Sequence, residues 1–456
     1  MAMENSTKMK SVENNLKKFQ RRVSWIGTSS SRYREIAEKA SINGGVGRFR
    51  LFTRSFWCIS EPTLVRYLLV DAKSHLRKGN IIQLLERILG RSIFTAEGAE
   101  WDALSESSKI TLGKSNSRYY EARVVEIVGD WIDHIQSKDK GSMLLNLRES
   151  LYDLSMNIMT SVLLGALIPE DAKKQVSSDH EWIRLTVNRR LGSSMIAPTW
   201  VPSASFLEIY LRQRRINTLL SPWITKARKK SNEYGRCLLS DLDSEIQEKT
   251  LCPFSDKGNA DFVKTLFFTG IRTTSITLEW ILLYLVDNPD YLNEIQKEVD
   301  QTIGTKRPTE SSIGKMKCME RFIREVMRMA PVAHTHVRRL TKSLEYKSYQ
   351  FKKGDVVLLS VFGVNRNPDV WEDPDKFDPE RYRKKEAASL LFPYGLGQHT
   401  CPGQFLAHQS VTIALVSLLQ RFRIEGIGEI RLTASSFVLL EPAYVQHVRL
   451  TERYRD

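Results

Sequence analysis

The sequence predicts one domain that is mostly α-helical with a smaller β part. Helical periodicity dominates from Ile81 to Leu251, whereas patterns typical of strands occur near residues 47–60, 340–359 and 423–450. No internal repeat, low-complexity linker or change of composition divides the chain. Length alone would allow about two to four domains at roughly 100–200 residues each, but the uniform composition favours one.

The composition favours a folded protein with a large core and argues against an integral membrane protein. Hydrophobic residues make up 41% of the chain, and its apolar runs are far shorter than the roughly 18 residues of a spanning helix. The first twenty residues are polar and basic, without the apolar core of a signal peptide. We therefore expect residues 1–25 to be a flexible basic segment and residues 26–456 to form the domain. We expect the chain as given to be cytoplasmic, with an upstream membrane anchor left open.

The charge bears on nucleic-acid binding, and the cysteines bear on disulfides and zinc sites. Lys and Arg number 68 against 53 Asp and Glu, a formal charge of +15, but no basic cluster forms a nucleic-acid-binding module. We therefore expect no nucleic-acid partner. Five cysteines without a CxxC pair argue against a disulfide framework or a structural zinc site, and they indicate a reducing compartment.

One long helix is predicted from Asn259 to Val286. Asn259 or Asp261 can cap its start, and Pro289 follows its end. Its middle, residues 269–275, contains Thr, Gly and Ser where good helix formers would be expected. A local rule broken in the centre of a buried helix indicates a functional position.

The strongest local signal is the loop YGLGQHTCPG at residues 394–403. Its glycines allow a tight turn whose backbone can approach a large flat group, and Pro402 suits the first position of a following helix. Cys401 would then lie at a helix N-terminus, where backbone N–H groups and the helix dipole favour thiolate over thiol. A thiolate in that setting is a metal ligand or a nucleophile.

A second signal links a helix to a later loop. Glu325 and Arg328 lie three residues apart in ERFIREVMRMAP, and Arg381 follows in the loop FDPERY. A carboxylate held between two guanidinium groups would pin the loop onto the helix.

These motifs, in this order along the chain, resemble those of the cytochrome P450 family of haem-thiolate enzymes. The resemblance implies the cytochrome P450 fold over nearly the whole chain, and haem b with Cys401 as the axial thiolate ligand of iron. Glu325, Arg328 and Arg381 would form a structural triad that locks the cysteine loop and takes no part in catalysis. The other cofactor-binding residues that the resemblance implies are Trp101, Arg338, Tyr394, Gly395, Gly397, His399 and Gly403. Of these, Trp101, Arg338 and His399 would face the haem propionates.

Two departures from the family concern the surroundings of the haem. Tyr394 stands where the family usually has Phe. Ser105 stands one helical turn after Trp101, where a base is usual, and Asp102 replaces another common base. These changes remove a propionate contact and positive charge from the face where an electron donor commonly docks. Lys109, one turn further, is the candidate for compensation.

The third departure lies in the long helix. The family motif resembles Ala/Gly-Gly-x-acid-Thr-Thr, and residues 269–274 of this chain are TGIRTT. The resemblance implies catalytic roles for Gly270, which lets oxygen and substrate approach the helix, and for Thr273, which organises protons for dioxygen. Arg272 replaces an acid that could relay protons. Arg272 either points away from the haem into an ion pair, which we favour, or holds a substrate carboxylate by a two-pronged contact.

The resemblance also implies a substrate pocket. The predicted lining residues are Phe267, Phe268 and Thr269 of the long helix, Val332, Ala333 and His334 with the two residues after them, and residues 436–439.

The implied function is that of a haem-thiolate monooxygenase acting on a small organic substrate, by oxygen insertion or oxidative coupling, in secondary metabolism. It would use O2 and electrons from a separate ferredoxin or flavoprotein reductase, because the chain has no Gly-rich dinucleotide motif or clustered cysteines. The alternative is a peroxide-dependent peroxygenase acting on a carboxylate held by Arg272, which Asp102 and Ser105 also favour. A haem-binding sensor without turnover is the third hypothesis, and in each case we expect a monomer.

Overall fold

A computed structural model of the chain describes residues 32–41, 44–51, 54–79, 82, 85–86, 89–138, 142–194, 204–229, 236–248, 256–384, 391–436 and 438–453. The expectation for residues 1–25 lies outside these residues. Most of the described chain is helical and a smaller part forms strands, so the predicted fold class is confirmed.

The helices carry most of the core. In chain order they are α1 (Arg32–Ser41), α2 (Pro62–Arg66), α3 (Gly98–Thr111), α4 (Lys114–Lys138), α5 (Leu147–Leu164), α6 (Glu170–Ser194), α7 (Ala204–Lys229), α8 (Leu238–Glu248), α9 (Asp256–Asp287), α10 (Pro289–Thr302), α11 (Glu310–Ile313), α12 (Lys317–Met329), α13 (Val361–Val364) and α14 (Gln404–Arg421). None of these combines the length and the apolar composition that crossing a bilayer would require.

The strands form one larger sheet and three smaller ones. They are β1 (Val46–Leu51), β2 (Arg54–Ile59), β3 (Leu76–Lys78), β4 (Ser142–Asn146), β5 (Thr335–Leu340), β6 (Leu344–Tyr346), β7 (Tyr349–Phe351), β8 (Val356–Ser360), β9 (Phe422–Gly426), β10 (Ala434–Ser436), β11 (Leu440–Pro442) and β12 (His447–Glu452). The larger sheet has the order β1-β2-β8-β5-β3, in which β2 and β8 are parallel and the other neighbours are antiparallel. The smaller sheets are β4-β12-β9, β6-β7 and β10-β11.

The predicted long helix is present as α9. It has 32 residues, about 48 Å at 1.5 Å per residue, and side chains such as Trp280 and Leu283 are fully buried along it. It crosses α5 closely because Gly270 has no side chain: a Cβ there would lie 2.7 Å from Sδ of Met159. The missing side chain of Gly270 therefore faces α5, and the role in the approach of oxygen that the resemblance implies for it stays a prediction.

The helix after the cysteine loop starts later than predicted. Residues 402 and 403 form a turn, and α14 begins at Gln404 with Gly403 as its N-cap. Pro402 is therefore not the first helical residue. The strands predicted near the C-terminus are present as β9 to β12, and the β10-β11 hairpin packs against α9, where Trp280 Nε1 donates to the carbonyl of Leu440 over 3.1 Å.

Candidate functional site

The loop before Cys401 has a backbone conformation that favours glycine at two positions. Gly395 and Gly397 have φ values of +83° and +75°. A Cβ at Gly397 would also collide with the backbone carbonyl of Leu69. The amide of Cys401 donates to the carbonyl of Tyr394 over 2.8 Å and closes the loop. The glycines predicted from the sequence therefore shape the loop that presents the thiol.

The Cys401 thiol is surrounded by protein but accessible. Burial raises its pKa, and a hydrogen bond with the backbone of Gly403 opposes this only in part. Burial therefore opposes the thiolate that the sequence predicts at a helix N-terminus, and α14 itself begins only at Gln404. The side chain is nevertheless exposed, so it faces a space and not a packed wall. A bound metal would lower the pKa of Cys401, since a thiol that coordinates a metal is deprotonated.

Tyr394 and Gly403 contribute to the loop in different ways. Burial, followed by the nearby charge of Cys401, raises the pKa of Tyr394, so its hydroxyl stays neutral. A Cβ at Gly403 would meet nothing within 4 Å, so the described neighbours impose no requirement for glycine there.

The predicted triad is assembled. Arg328 donates to both carboxylate oxygens of Glu325, over 2.8 and 2.9 Å, and Nε of Arg381 donates to the same carboxylate over 3.0 Å. The side chains of Glu325 and Arg328 are 0% exposed. A buried carboxylate between two guanidinium groups is stable only as a complete set, because removing one member leaves a buried charge unpaired.

The remaining donors of the triad arginines bind a stretch of backbone. Arg328 donates to the carbonyls of Asn365, Pro374 and Lys376, over 2.7, 2.6 and 3.0 Å. Arg381 donates to the carbonyl of Lys376 over 3.1 Å. The triad therefore ties the backbone of residues 365–376 to α12. A different pair joins α12 to α14, the helix that follows the cysteine loop: the side chains of Glu320 and His408 are 3.3 Å apart.

Basic side chains converge beside the cysteine loop. Burial lowers the pKa of Arg338 to about 10. Burial and repulsion from Arg338 together lower the pKa of Lys78 to about 8, that of His336 to about 4 and that of His399 to about 3. The ring of Trp101 packs edge-on against His399, with centroids 4.4 Å apart. The charges of Arg338 and Lys78 would attract an anion, so these residues fit a haem and would hold its propionates.

The hydroxyl of Thr273 is engaged within α9. It donates to the carbonyl of Thr269 over 2.6 Å, one turn back. Thr269 and Thr277 make the same contact with the carbonyls of Thr265 and Thr273, over 2.7 and 2.8 Å. The proton on Thr273 Oγ1 is therefore held by a backbone carbonyl, and it must leave that carbonyl to serve any other acceptor.

Arg272 lies where three elements meet. Its Nη2 donates to one carboxylate oxygen of Glu441 on β11 over 2.6 Å, and Nη1 of Arg184 on α6 donates to the other oxygen over 2.9 Å. The side chains of Arg272 and Glu441 are 14% and 9% exposed. A second pair, Arg148 and Glu279, joins α5 to α9 nearby at 3.4 Å. The ion pair that the favoured interpretation of Arg272 requires is therefore present.

Two of the predicted pocket residues of α9 have different surroundings: Phe267 lies in the hydrophobic core, and Phe268 contacts α6. Phe267 is 1% exposed and belongs to the main hydrophobic core. The ring of Phe268 contacts that of His180 of α6, with ring centroids 3.4 Å apart and ring planes tilted by 36°. Burial lowers the pKa of His180 to about 3, and its Nε2 has no hydrogen-bond partner in the part of the chain that the structure describes. The contact of Phe268 with His180 therefore buries an unpaired ring nitrogen, close in the chain to the charged junction of Arg184, Arg272 and Glu441.

The other predicted lining segments meet each other. The carbonyl of Val332 accepts from the amide of Leu440 over 2.9 Å, which joins the segment after α12 to the β10-β11 hairpin. Ala333 is exposed, whereas His334 is buried with Nδ1 2.9 Å from Oγ1 of Thr335. Residue 437 lies outside the described residues, and so does the side chain of residue 436.

Sequence reasoning missed several residues of this region. They are Lys78, His180, Arg184 and Glu441. Each is a common residue type, and the contacts that matter here join it to backbone carbonyls or to side chains distant in the chain, so no local pattern distinguishes it.

Comparisons with known proteins agree with this geometry. The family model of cytochrome P450 matches residues 19–446. Cytochrome P450 81D1 of Arabidopsis thaliana is 30% identical over 187 residues, which are 41% of this chain and 37% of that protein. Abscisic acid 8'-hydroxylase CYP707A1 of Solanum lycopersicum is 26% identical over 385 residues, which are 81% of this chain and 76% of that protein.

A solved structure shows the same fold. The crystal structure of a mutant cytochrome P450 heme domain superposes with a TM-score of 0.80 at 17% identity, over 93% of this chain and 94% of that chain. The family model covers most of the sequence, and the chain has a closed cysteine loop and an assembled Glu-Arg-Arg triad. The chain therefore belongs to the cytochrome P450 family of haem-thiolate monooxygenases.

Proposed function

We propose that this protein inserts oxygen from O2 into a small organic substrate, with electrons from a separate ferredoxin or flavoprotein reductase. The observation that carries this proposal is the pairing of Arg272 with Glu441. A guanidinium that already binds a buried carboxylate is not free to hold a carboxylate of the substrate. The reaction proposed for Arg272-assisted peroxide chemistry therefore loses its main support.

The residues of the chain divide the work. Thiolate-ligated haem supplies the activation of dioxygen, because the thiolate donates electron density that favours O–O cleavage. Cys401 would hold the iron, and Arg338 and His399 would hold the propionates. Thr273 carries a proton at Oγ1 that can leave the carbonyl of Thr269 for a stronger acceptor.

The relatives support hydroxylation as the type of reaction. One of them is named as an abscisic acid 8'-hydroxylase, at 26% identity. Hydroxylation inserts one oxygen atom into a C–H bond and needs no second active-site nucleophile, which agrees with a site whose chemistry rests on one cysteine. We infer a small organic substrate that enters between α6, α9 and the β10-β11 hairpin.

One observation keeps the peroxide-dependent alternative in view. Nε of Arg272 is buried and has no hydrogen-bond partner among the described residues. A substrate carboxylate that displaced Glu441 could bind Nε and Nη2 together, the two-pronged geometry that guanidinium prefers. In that case hydrogen peroxide alone would support turnover.

The test compares two sources of oxidising equivalents. Purified haem protein receives hydrogen peroxide alone, or NADPH with a surrogate redox chain, on a substrate panel that includes fatty acids. We expect product only with the redox chain, and a loss of coupling of about 10-fold or more in Thr273→Ala. Thr277→Ala is the matched control, because Thr277 makes the same intrahelical bond one turn away.

Other results would change the assignment. Product with peroxide alone that Arg272→Ala abolishes and Thr273→Ala does not would overturn the monooxygenase proposal in favour of the peroxygenase. Turnover by Cys401→Ala through either route would contradict the role of Cys401 as iron ligand.

A further inference from the structure

Lys78 occupies an unusual place in the larger sheet. It ends the edge strand β3 and lies directly opposite Arg338 of β5 in the antiparallel register. Like charges on facing residues of a strand pair destabilise the pair. Repulsion from Arg338 is one of the causes that lower the pKa of Lys78, so the two charges are close. The carboxylate of Glu97 compensates in part, because its charge opposes the lowering of the pKa of both Lys78 and Arg338.

The ammonium group of Lys78 is fully used by backbone carbonyls. Its Nζ donates to the carbonyls of Ile93, Phe94 and Ala96 over 3.0, 2.9 and 2.8 Å. An ammonium has three protons, and each has an acceptor here. One side chain on β3 therefore holds residues 93–96 in place.

This segment leads directly to the cysteine loop. Glu97 follows it as the N-cap residue of α3, and its carboxylate accepts from the backbone amide of Lys78 over 2.5 Å. Trp101 lies in the first turn of α3, and its ring packs on His399. The contacts thus run from Lys78 through the start of α3 to the residue two positions before Cys401.

Of Lys78 and Lys109, Lys78 is better placed to compensate for the base that is missing at Ser105. Ser105 is buried and neutral on α3, at a position where the family usually has a base. Lys109 on the same helix, the candidate for compensation, is exposed. Lys78 is half-buried, and it lies opposite Arg338 in the strand pair, with its charge close enough to Arg338 to lower the pKa of the lysine.

We propose that Lys78 is a positioning residue for the haem, with two separable roles. Its three hydrogen bonds hold residues 93–97, and so Trp101, against the cysteine loop. Its positive charge, added to that of Arg338, supplies the field for the haem propionates that Ser105 cannot supply. This inference rests on haem binding by the family and not on the reaction proposed above, so it can fail or succeed independently of that reaction.

Three variants of the haem protein separate the two roles. Lys78→Arg keeps charge and donors, Lys78→Gln keeps donors without charge, and Lys78→Met keeps neither. The control is Lys109→Met, which removes an exposed lysine from α3. The measurements are the reduction potential of the haem iron, amide hydrogen exchange of residues 93–97, and the rate of haem transfer to apomyoglobin.

The potential should follow the charge. Removing a positive charge near the propionates favours the ferric state, so Lys78→Gln and Lys78→Met should lower the reduction potential, whereas Lys78→Arg should leave it close to the wild-type value. The rate of amide hydrogen exchange should depend on the hydrogen-bond donors: residues 93–97 should exchange about tenfold faster or more in Lys78→Met, and by a smaller factor in Lys78→Gln. Haem transfer should be fastest from Lys78→Met, and Lys109→Met should match the wild type in all three measurements.

Two results would overturn the proposal. A reduction potential that is the same in Lys78→Met, Lys78→Gln and the wild type would contradict the electrostatic role. An unchanged rate of amide exchange of residues 93–97 in Lys78→Met would contradict the positioning role. If Lys78→Met does not retain haem, Lys78→Gln and Lys78→Arg still decide the electrostatic role, since they differ in charge while both keep hydrogen-bond donors.

Discussion

Replacing Glu441 by Gln tests the junction of α6, α9 and the β10-β11 hairpin. The carboxylate accepts charged hydrogen bonds from Arg272 and Arg184, over 2.6 and 2.9 Å, and its side chain is 9% exposed. Glutamine has the same size but no charge, so the substitution removes the ion-pair partner of the largely buried Arg272 and leaves it only the fields of Glu279 and Glu181. Arg184 is less affected, because it also binds Glu181.

The size of the effect follows from burial. Breaking a buried ion pair by removing one partner costs about 3–5 kcal/mol. The amide oxygen of Gln can still accept one hydrogen bond, and Arg184 keeps a second partner. We therefore expect Glu441→Gln to lower the free energy of unfolding by about 2–3 kcal/mol. Glu181, which is 48% exposed, is the i,i+3 partner of Arg184. Glu181→Gln should therefore lower the free energy of unfolding by about 1 kcal/mol or less.

Urea unfolding of the haem protein, followed by circular dichroism, measures both values. A double variant adds a second criterion: Arg272→Met with Glu441→Gln removes both charges and should be more stable than Glu441→Gln alone. If Glu441→Gln costs no more than Glu181→Gln, the buried pair contributes no more than a surface pair. The reasoning on Arg272 as a structural cation would then be refuted.

Three further predictions concern single positions. Burial raises the pKa of Glu279 from its ordinary value of 4.5 to about 7, so the native state binds an extra proton between these values. The stabilisation from this extra proton is complete below pH 4.5 and is lost as the pH rises through 7. Glu279→Gln should remove this pH dependence and raise the free energy of unfolding at pH 8 by up to about 3 kcal/mol. Equal dependence on pH of the unfolding free energy in the variant and the wild type, measured in urea, would contradict this. Gly397→Ala should lower haem content and cost about 1–3 kcal/mol, because its Cβ meets Leu69 at a positive φ; a normal Soret absorbance per protein would contradict the loop geometry. Arg272→Asp should destabilise more than Arg272→Met in thermal unfolding, because Asp would face Glu441; the reverse order would show that the two positions do not interact.

The parts of the site that the sequence predicted are those set by local chemistry. Glycines 395 and 397 were expected to shape the cysteine loop, and both have positive φ. Glu325 and Arg328 lie three residues apart on one helix, so their contact follows from helix geometry. The long helix was recognised by its apolar pattern and by the weak helix formers at its centre.

The parts that the sequence did not predict depend on distant partners. The contact of Arg272 with Glu441 joins residues 169 positions apart, and nothing near either residue specifies the other. The direction of Gly270 depends on how α5 crosses α9, which sets Met159 against it. The pKa of Cys401 likewise depends on burial by the assembled protein, which outweighs the local backbone contact that the loop sequence suggested.

The two charge departures from the family have a common physical explanation. Arg272 introduces a cation where an acid is usual, and Glu441 supplies the missing carboxylate from the final hairpin. Ser105 removes a cation from α3, and Lys78, as proposed above, supplies one from an edge strand. A buried site requires that its net charge be balanced, but the balancing group can come from any element that reaches it. Charge at such a site is therefore better compared over the assembled residues than position by position along the motif.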